Sequence, residues 1–200
     1  MEHKCKSKTL IILDWDDTLF PTSWLIKNNI NLLDTENRWR YISLFTDLDL
    51  VLSNLIQKLK QYGKVVIITN AMPDWINNSL SVLPKTSKSL QLVSIVSARK
   101  LFQGQFNDMD EWKKRTFKTV VAQEFHNKKL MNIISIGDAE YEYRALIDLY
   151  NWQLENSGEN RRAKRKILKS VKLLHSPSHD ALIEQLMVLL KVAPTRYYIH

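Results

Sequence analysis

The aliphatic run Leu10-Ile11-Ile12-Leu13 is followed at once by Asp14-Trp15-Asp16-Asp17-Thr18, and this junction constrains the fold more than any other part of the chain. Four consecutive aliphatic residues read as a strand buried on both faces. Asp14, Asp16 and Asp17 then stop it, because Asp is a poor strand residue and is costly to bury without a partner. Open α/β sheets collect their ligands at the carboxyl ends of the strands, so a divalent cation is a natural partner for these acids. Period-two alternation sends Asp14 and Asp16 to one side and Trp15 to the other. A solvated acidic turn is the plainer alternative.

Further strands follow at intervals that leave room for helices. Val65-Val66-Ile67-Ile68 reads as a second buried strand ending in Thr69-Asn70, Leu90 to Val96 as a third, Ile133-Ile134-Ser135-Ile136 as a fourth ending in Gly137-Asp138, and Lys169 to Leu174 as a fifth. Between them, Leu48, Val51, Leu52, Leu55, Ile56 and Leu59 repeat at helical spacing, with Asp47 placed to cap and Gly63 to stop the helix. Pro73 opens a helix from Asp74 to about Val82 that Pro84 closes. Asp108 or Asp110 caps one from Glu111 to about Phe125, with Trp112, Phe117, Val120, Val121 and Phe125 as its apolar stripe. Residues 139–150 read as helical, and Ser178 or Asp180 caps a last helix through Lys191. Strands alternating with helices imply βαβ units: a five-stranded, mainly parallel sheet covered on both faces. The expected organisation is one domain over residues 1–200. Residues 1–8 form a frayed lead-in, 21–46 a small flap with one or two short helices, and 151–166 an exposed basic connection.

Composition narrows the class. With 44% hydrophobic residues in 200, the chain can bury a sizeable core, and 4 Gly and 5 Pro leave little for long disordered tracts. The net charge of +8 favours anionic partners: phosphorylated small molecules, phosphoproteins or nucleic acid. The lone Cys5 excludes an internal disulfide and suits a reducing compartment. No apolar run reaches membrane-spanning length, and the start is unlike a signal peptide. An intracellular protein is expected, in the cytoplasm or the nucleus.

Asp14 with Asp16, Thr69, and Asp138 stand at the ends of three buried strands, and one edge of a parallel sheet gathers such ends. That set suits phosphoryl transfer. A carboxylate can attack phosphorus, Mg²⁺ takes oxygen ligands, and a hydroxyl and a lysine can hold the oxygens on which charge develops.

The run Asp14-Trp15-Asp16-Asp17-Thr18 after an apolar strand resembles the first motif of the haloacid dehalogenase (HAD) superfamily. Its other motifs match in order at Thr69 in Ile67-Ile68-Thr69-Asn70, at a lysine near 113, and at Gly137-Asp138 with Glu142 beyond. The longer wording, Asp14 through Ser23 with Val96-Ser97-Ala98-Arg99, Trp112-Lys113 and Pro177-Ser178, is similar to an uncharacterised eukaryotic branch of that superfamily. The resemblance covers essentially the whole chain and implies a three-layer, Rossmann-like fold and a phosphatase. It implies Asp14 as nucleophile, and Asp16 as general acid and then base, whose backbone carbonyl also ligates Mg²⁺. It further implies Thr69 and the Asn70 amide on the phosphoryl oxygens, Lys113 beside them, and Asp138 on the metal directly or through water. Glu142 would hold a metal-bound water, with Thr18 in support.

Lys113 and Lys114 are adjacent and cannot point the same way; Trp112-Lys113 fits the branch pattern, so Lys113 is preferred. Each assignment has a plainer counterpart: Thr69 satisfying its own strand end, two solvated lysines, Arg99 in a surface pair rather than at substrate. The cluster Arg161–Lys166 suits nucleic acid or an acidic partner, or a solvated loop. His175 and His179 bracket a Pro and read as core or surface histidines.

The windows where relatives insert a cap are short, about thirty residues after the first motif and fewer between Ser97 and Glu111. A capless or minimally capped site is expected, which tilts the substrate towards a phosphoprotein or a nucleic-acid end. Two functions are carried forward: a Mg²⁺-dependent phosphatase, and a binding module that keeps the fold without catalysis. A pure binder has no need of both Asp14 and Asp16, which favours the first.

Overall fold

The computed structural model describes residues 8–125, 132–155 and 167–192. Five strands, β1 (Thr9–Leu13), β2 (Lys64–Thr69), β3 (Ser94–Ser97), β4 (Asn132–Gly137) and β5 (Ile167–Lys172), form one sheet in the order β3-β2-β1-β4-β5. Every neighbouring pair is parallel. The sheet is therefore wholly parallel, a Rossmann-like α/β arrangement with β1 at its centre. The chain leaves β1 first towards β2 and β3, then returns on the other side to β4 and β5. The strand order thus reverses at β1, and the crevice between the carboxyl ends of β1 and β4 is the switch point where such sheets bind ligands.

Alternation along β1 assigns its two faces. Ile11 and Leu13 join a buried cluster with Leu48, Leu52 and Ile56 of α3 (Ile42–Leu59) and Leu182 and Leu186 of α9 (His179–Val192). Leu10 and Ile12 join a second cluster with Phe117, Val120 and Val121 of α7 (Met109–Phe125) and Ala145, Leu146 and Leu149 of α8 (Glu140–Glu155). Helices thus cover both faces, which is why β1 is aliphatic at successive positions rather than at alternate ones.

The segment between β1 and α3 holds two short helices, α1 (Thr22–Lys27) and α2 (Thr35–Arg40). Several element boundaries differ from those read off the sequence. The helix expected from Asp47 begins at Ile42, so Asp47 lies inside it. Pro84 does not merely close α4 (Pro73–Leu80); it opens α5 (Pro84–Ser89). That short helix is capped from elsewhere: Asp49 of α3 accepts the Lys85 and Thr86 amides at 2.9 and 2.7 Å. A cap supplied by another element leaves no local signature. β3 begins at Ser94 rather than Leu90 and passes directly into α6 (Ala98–Phe102), capped by Ser97. The Asp108 carboxylate accepts the Asp110 amide at the start of α7, and the Ser178 hydroxyl accepts the Ala181 amide at the start of α9. α8 runs on to Glu155, so residues 151–155 are helix rather than connection, and Trp152 packs against the second cluster. The lead-in through residue 7, Cys5, the side chain of Phe125 and the cluster Arg161–Lys166 lie outside the described residues. Among the described residues no helix is long and apolar enough to cross a membrane.

Candidate active site

The chain turns sharply where β1 ends. The Trp15 carbonyl accepts amides from Leu19 and Phe20 at 2.9 and 3.0 Å, and the Asp17 amide donates to the Phe20 carbonyl at 2.8 Å. Asp17 takes the left-handed conformation, φ 54°, which Asp tolerates better than most residues. Its carboxylate accepts the Ser23 amide at 2.8 Å and the Ser23 hydroxyl, tying this turn to the start of α1. The third acid of the motif is thereby spent on Ser23.

Asp14 follows the alternation of β1 and faces α7. There Lys113, one helical turn before Phe117, is 1% exposed. Its ammonium donates to Asp14 Oδ1 at 2.6 Å, Glu142 Oε1 at 2.7 Å and the Ile68 carbonyl at 2.9 Å. A lysine has three N–H donors, and all three are used. Lys114, about 100° further round the helix, is partly exposed and pairs with Glu111 at 3.2 Å. The two lysines are thus separated by helix geometry.

Glu142 reaches back from the first turn of α8, its Oε2 accepting the Ala139 amide at 3.2 Å as a helix-capping glutamate does. It can do so because residue 137 is glycine: a Cβ there would lie 2.4 Å from Glu142 Cγ. Asp138 is 5% exposed. It accepts the Thr18 hydroxyl at 3.3 Å on Oδ1, and its Oδ2 lies 2.8 Å from His175 Nδ1. Asp14 and Asp138 therefore flank the switch point from adjacent strands.

Asp16 lies past the end of β1, in the turn. Its Oδ1 accepts Thr22 Oγ1 of α1 at 2.5 Å and the Trp75 indole N–H of α4 at 2.8 Å. Thr69 is fully buried, and its hydroxyl oxygen accepts the Ala71 amide at 3.0 Å. This is the local strand-end arrangement of a Thr. The neighbouring Asn70 Oδ1 is buried and has no hydrogen-bond partner among the described residues. Arg99 is exposed on α6 and donates to Gln103 at 3.1 Å. The structure thus brings Lys113 into direct contact with both Asp14 and Glu142 and joins Thr18 to Asp138. It places Thr69 and Asn70 at the same sheet edge without hydrogen bonds to those carboxylates, and turns Arg99 along its own helix.

The charges do not balance. Asp14 and Glu142 share one ammonium, and Asp16 and Asp138 add two more carboxyls at the same sheet edge with no lysine or arginine bonded to either among the described residues. Burial raises the Asp14 carboxyl to about 7, with Lys113 opposing and Glu142 adding to the rise. Burial also raises Asp16, against the hydrogen bonds from Thr22 and Trp75, and raises Asp138, against the one from His175. Burial works against the Lys113 charge as well, but Asp14 and Glu142 outweigh it and hold its pKa above the usual lysine range. Such an excess of buried carboxylate oxygen suits a hard divalent cation. Among the described residues no three acidic, imidazole or thiol side chains converge as a ready-made cage. A site built from two carboxylates and one backbone carbonyl needs no third side chain.

Sequence reasoning missed His175, Trp75 and Thr22. His175 follows β5 and so reaches the same sheet edge, and its place beyond a strand end is the signal that marks it. Trp75 and Thr22 carry no signal, since an aromatic on a short amphipathic helix and a Thr after a Pro read as packing and capping.

No protein-family model and no curated protein matches this chain. Among solved structures, the HAD domain of effector protein Lem4 from Legionella pneumophila is similar at a TM-score of 0.45 and 16% identity, covering 95% of this chain and 99% of that one. The inactive mutant of the same domain is similar at a TM-score of 0.43 and 13% identity, covering 94% and 96%. The strand order and the parallel pairing themselves establish what this chain is: a five-stranded α/β fold of Rossmann-like arrangement with a cluster of carboxylates at its switch point.

Proposed function

We propose that the protein is a HAD-type, Mg²⁺-dependent phosphatase that hydrolyses a phosphate monoester through an aspartyl-phosphate on Asp14. The observation that carries this reading is the Lys113 ammonium joining Asp14 to Glu142 at the carboxyl end of β1, with Asp138 just beyond the neighbouring end of β4. A buried carboxylate held in place by a lysine is oriented as a nucleophile. The Asp14 and Asp138 carboxylates and the Asp16 backbone carbonyl would hold Mg²⁺, which when bound keeps Asp14 ionised and draws the phosphoryl group to it.

The chain's own residues divide the remaining work. Asp14 Oδ1 is committed to Lys113, so attack falls to Oδ2. Thr69, whose oxygen accepts from Ala71, keeps its own proton to donate to a phosphoryl oxygen. For Lys113 to do the same, one of its three bonds must be released, and the neutral Ile68 carbonyl is the least costly to give up. Asp16 protonates the leaving oxygen and later takes a proton from water. A raised pKa suits an acid that must carry a proton near neutrality.

Only α1 and α2 separate β1 from α3, and only α6 lies between β3 and α7. These short insertions, with the net charge of +8, support an open site for a phosphoprotein or a nucleic-acid end. The test is phosphate release from p-nitrophenyl phosphate with and without Mg²⁺, beside Asp14→Asn. Turnover lost in both controls supports the enzyme. Salt-sensitive oligonucleotide binding without turnover would instead make the chain a binding module.

A further inference from the structure

Asp16 is gripped on one oxygen only. Both donors, the Trp75 indole at 2.8 Å and the Thr22 hydroxyl at 2.5 Å, converge on Oδ1. Oδ2 accepts no hydrogen bond among the described residues. The grip is itself braced. The Trp75 ring meets Phe20 edge-on at 5.9 Å between centroids, and Phe20 stacks on Trp15 at 6.2 Å. The Trp15 indole donates to Ser79 Oγ at 3.0 Å, and Ser79, one turn after Trp75 on α4, returns a bond to the Trp75 carbonyl at 2.9 Å. Trp15 and Phe20 are both buried completely. Trp75 therefore has little freedom to leave Asp16.

An indole N–H can donate but never accept, so whenever Asp16 is protonated the oxygen facing Trp75 must be the carbonyl-like one. We infer that Trp75 and Thr22 are positioning residues that fix Asp16 Oδ1 as acceptor and make Oδ2 the oxygen through which its proton passes. The inference rests on the phosphatase reading. As Asp14 Oδ2 bonds to phosphorus and the bond from phosphorus to the ester oxygen breaks, that ester oxygen takes the proton from Asp16 Oδ2. In the second half, water bonds to phosphorus and gives its proton back to Asp16 Oδ2. The bond from phosphorus to Asp14 then breaks, and inorganic phosphate leaves. A loose Asp16 would present either oxygen and lose proton donation without losing the nucleophile.

The test is kcat/KM for a series of aryl phosphates of equal size, from p-nitrophenyl to p-methoxyphenyl phosphate. It is measured with wild type, Trp75→Phe, Thr22→Val and Thr22→Ser. Good leaving groups need no acid, so Trp75→Phe and Thr22→Val should slow the p-methoxyphenyl ester about 10-fold or more and the p-nitrophenyl ester less than about 3-fold. Thr22→Ser, which keeps the donor, should restore the wild-type slope. If Trp75→Phe melts early in a circular-dichroism scan, the Thr22 pair carries the same reading. A uniform loss across the series, or an unchanged slope in folded variants, overturns the positioning role and leaves the phosphatase reading standing. A wild type that turns over none of the esters removes that reading and the inference with it.

Discussion

In cation-free protein, Asp14→Asn should make the chain more stable at neutral pH while abolishing its chemistry. Asp14, Lys113 and Glu142 form a buried group with two negative charges against one positive. The Asp14 carboxyl is raised from 3.8 to about 7, burial being the largest cause. The folded state therefore holds a proton on Asp14 where the unfolded chain has lost it. Stability then falls as pH rises from about 4 towards 7, the sign opposite to that of a salt-bridged carboxylate with a depressed pKa. At about 1.4 kcal/mol for each pH unit, the gap has a ceiling near 4 kcal/mol at pH 7. For a chain of this size that ceiling corresponds to a rise of roughly 8–16 °C in melting temperature. Asn mimics the protonated acid, so wild type and variant should melt together near pH 4 and separate as pH rises. Thermal melts at intervals from pH 4 to 8, with a chelator, measure the separation. Added Mg²⁺ should narrow it by stabilising wild type alone. An Asp14→Asn protein that melts below wild type at pH 7, or a difference that does not change with pH, refutes the electrostatic reasoning.

Other consequences are as direct. Lys113→Met leaves Asp14 and Glu142 facing each other in the interior and should cost about 3–5 kcal/mol in chemical denaturation. Lys114→Met, which loses only a surface pair, should stay within about 1 kcal/mol. Gly137→Ala places a Cβ 2.4 Å from Glu142 Cγ, so Glu142 must leave Lys113; a loss of about 1–3 kcal/mol is expected in the same assay. Asp49→Ala strips two amides of α5 of their acceptor and should cost about 1–3 kcal/mol without altering turnover. His175→Ala removes the partner of Asp138 Oδ2 and should raise the Mg²⁺ concentration for half-maximal thermal stabilisation about 10-fold or more.

The sheet was legible because its inner strands advertise themselves. Ile11 and Leu13 face one helical layer while Leu10 and Ile12 face the other, and only a strand buried on both sides needs aliphatic residues at four successive positions. Asp14 and Asp138 were legible for a related reason, whereas Lys113 and Glu142 lie on helices and were reached through the resemblance of the motifs. Charged groups at the ends of such strands have no place in a core unless they meet one another. Where a neighbour decides the structure, the sequence was silent. α5 exists because Asp49 caps it from α3, and β3 starts late because the turn that closes α5 runs through Leu92, which takes φ 67°. Asp16 lies past the end of β1, where its contacts are set by α1 and α4. Its partner Trp75 is 59 positions away, and nothing local marks that approach.

The central claim is that Asp14 takes up a phosphoryl group. Incubation with an aryl phosphate and Mg²⁺, acid quenching within the first turnover and peptide mass spectrometry test it without reference to any natural substrate. The account predicts a phosphate adduct confined to Asp14, lost on treatment with hydroxylamine and missing from Asp14→Asn. Phosphate released with no adduct at any quench time, or an adduct on another residue that persists in Asp14→Asn, would contradict it.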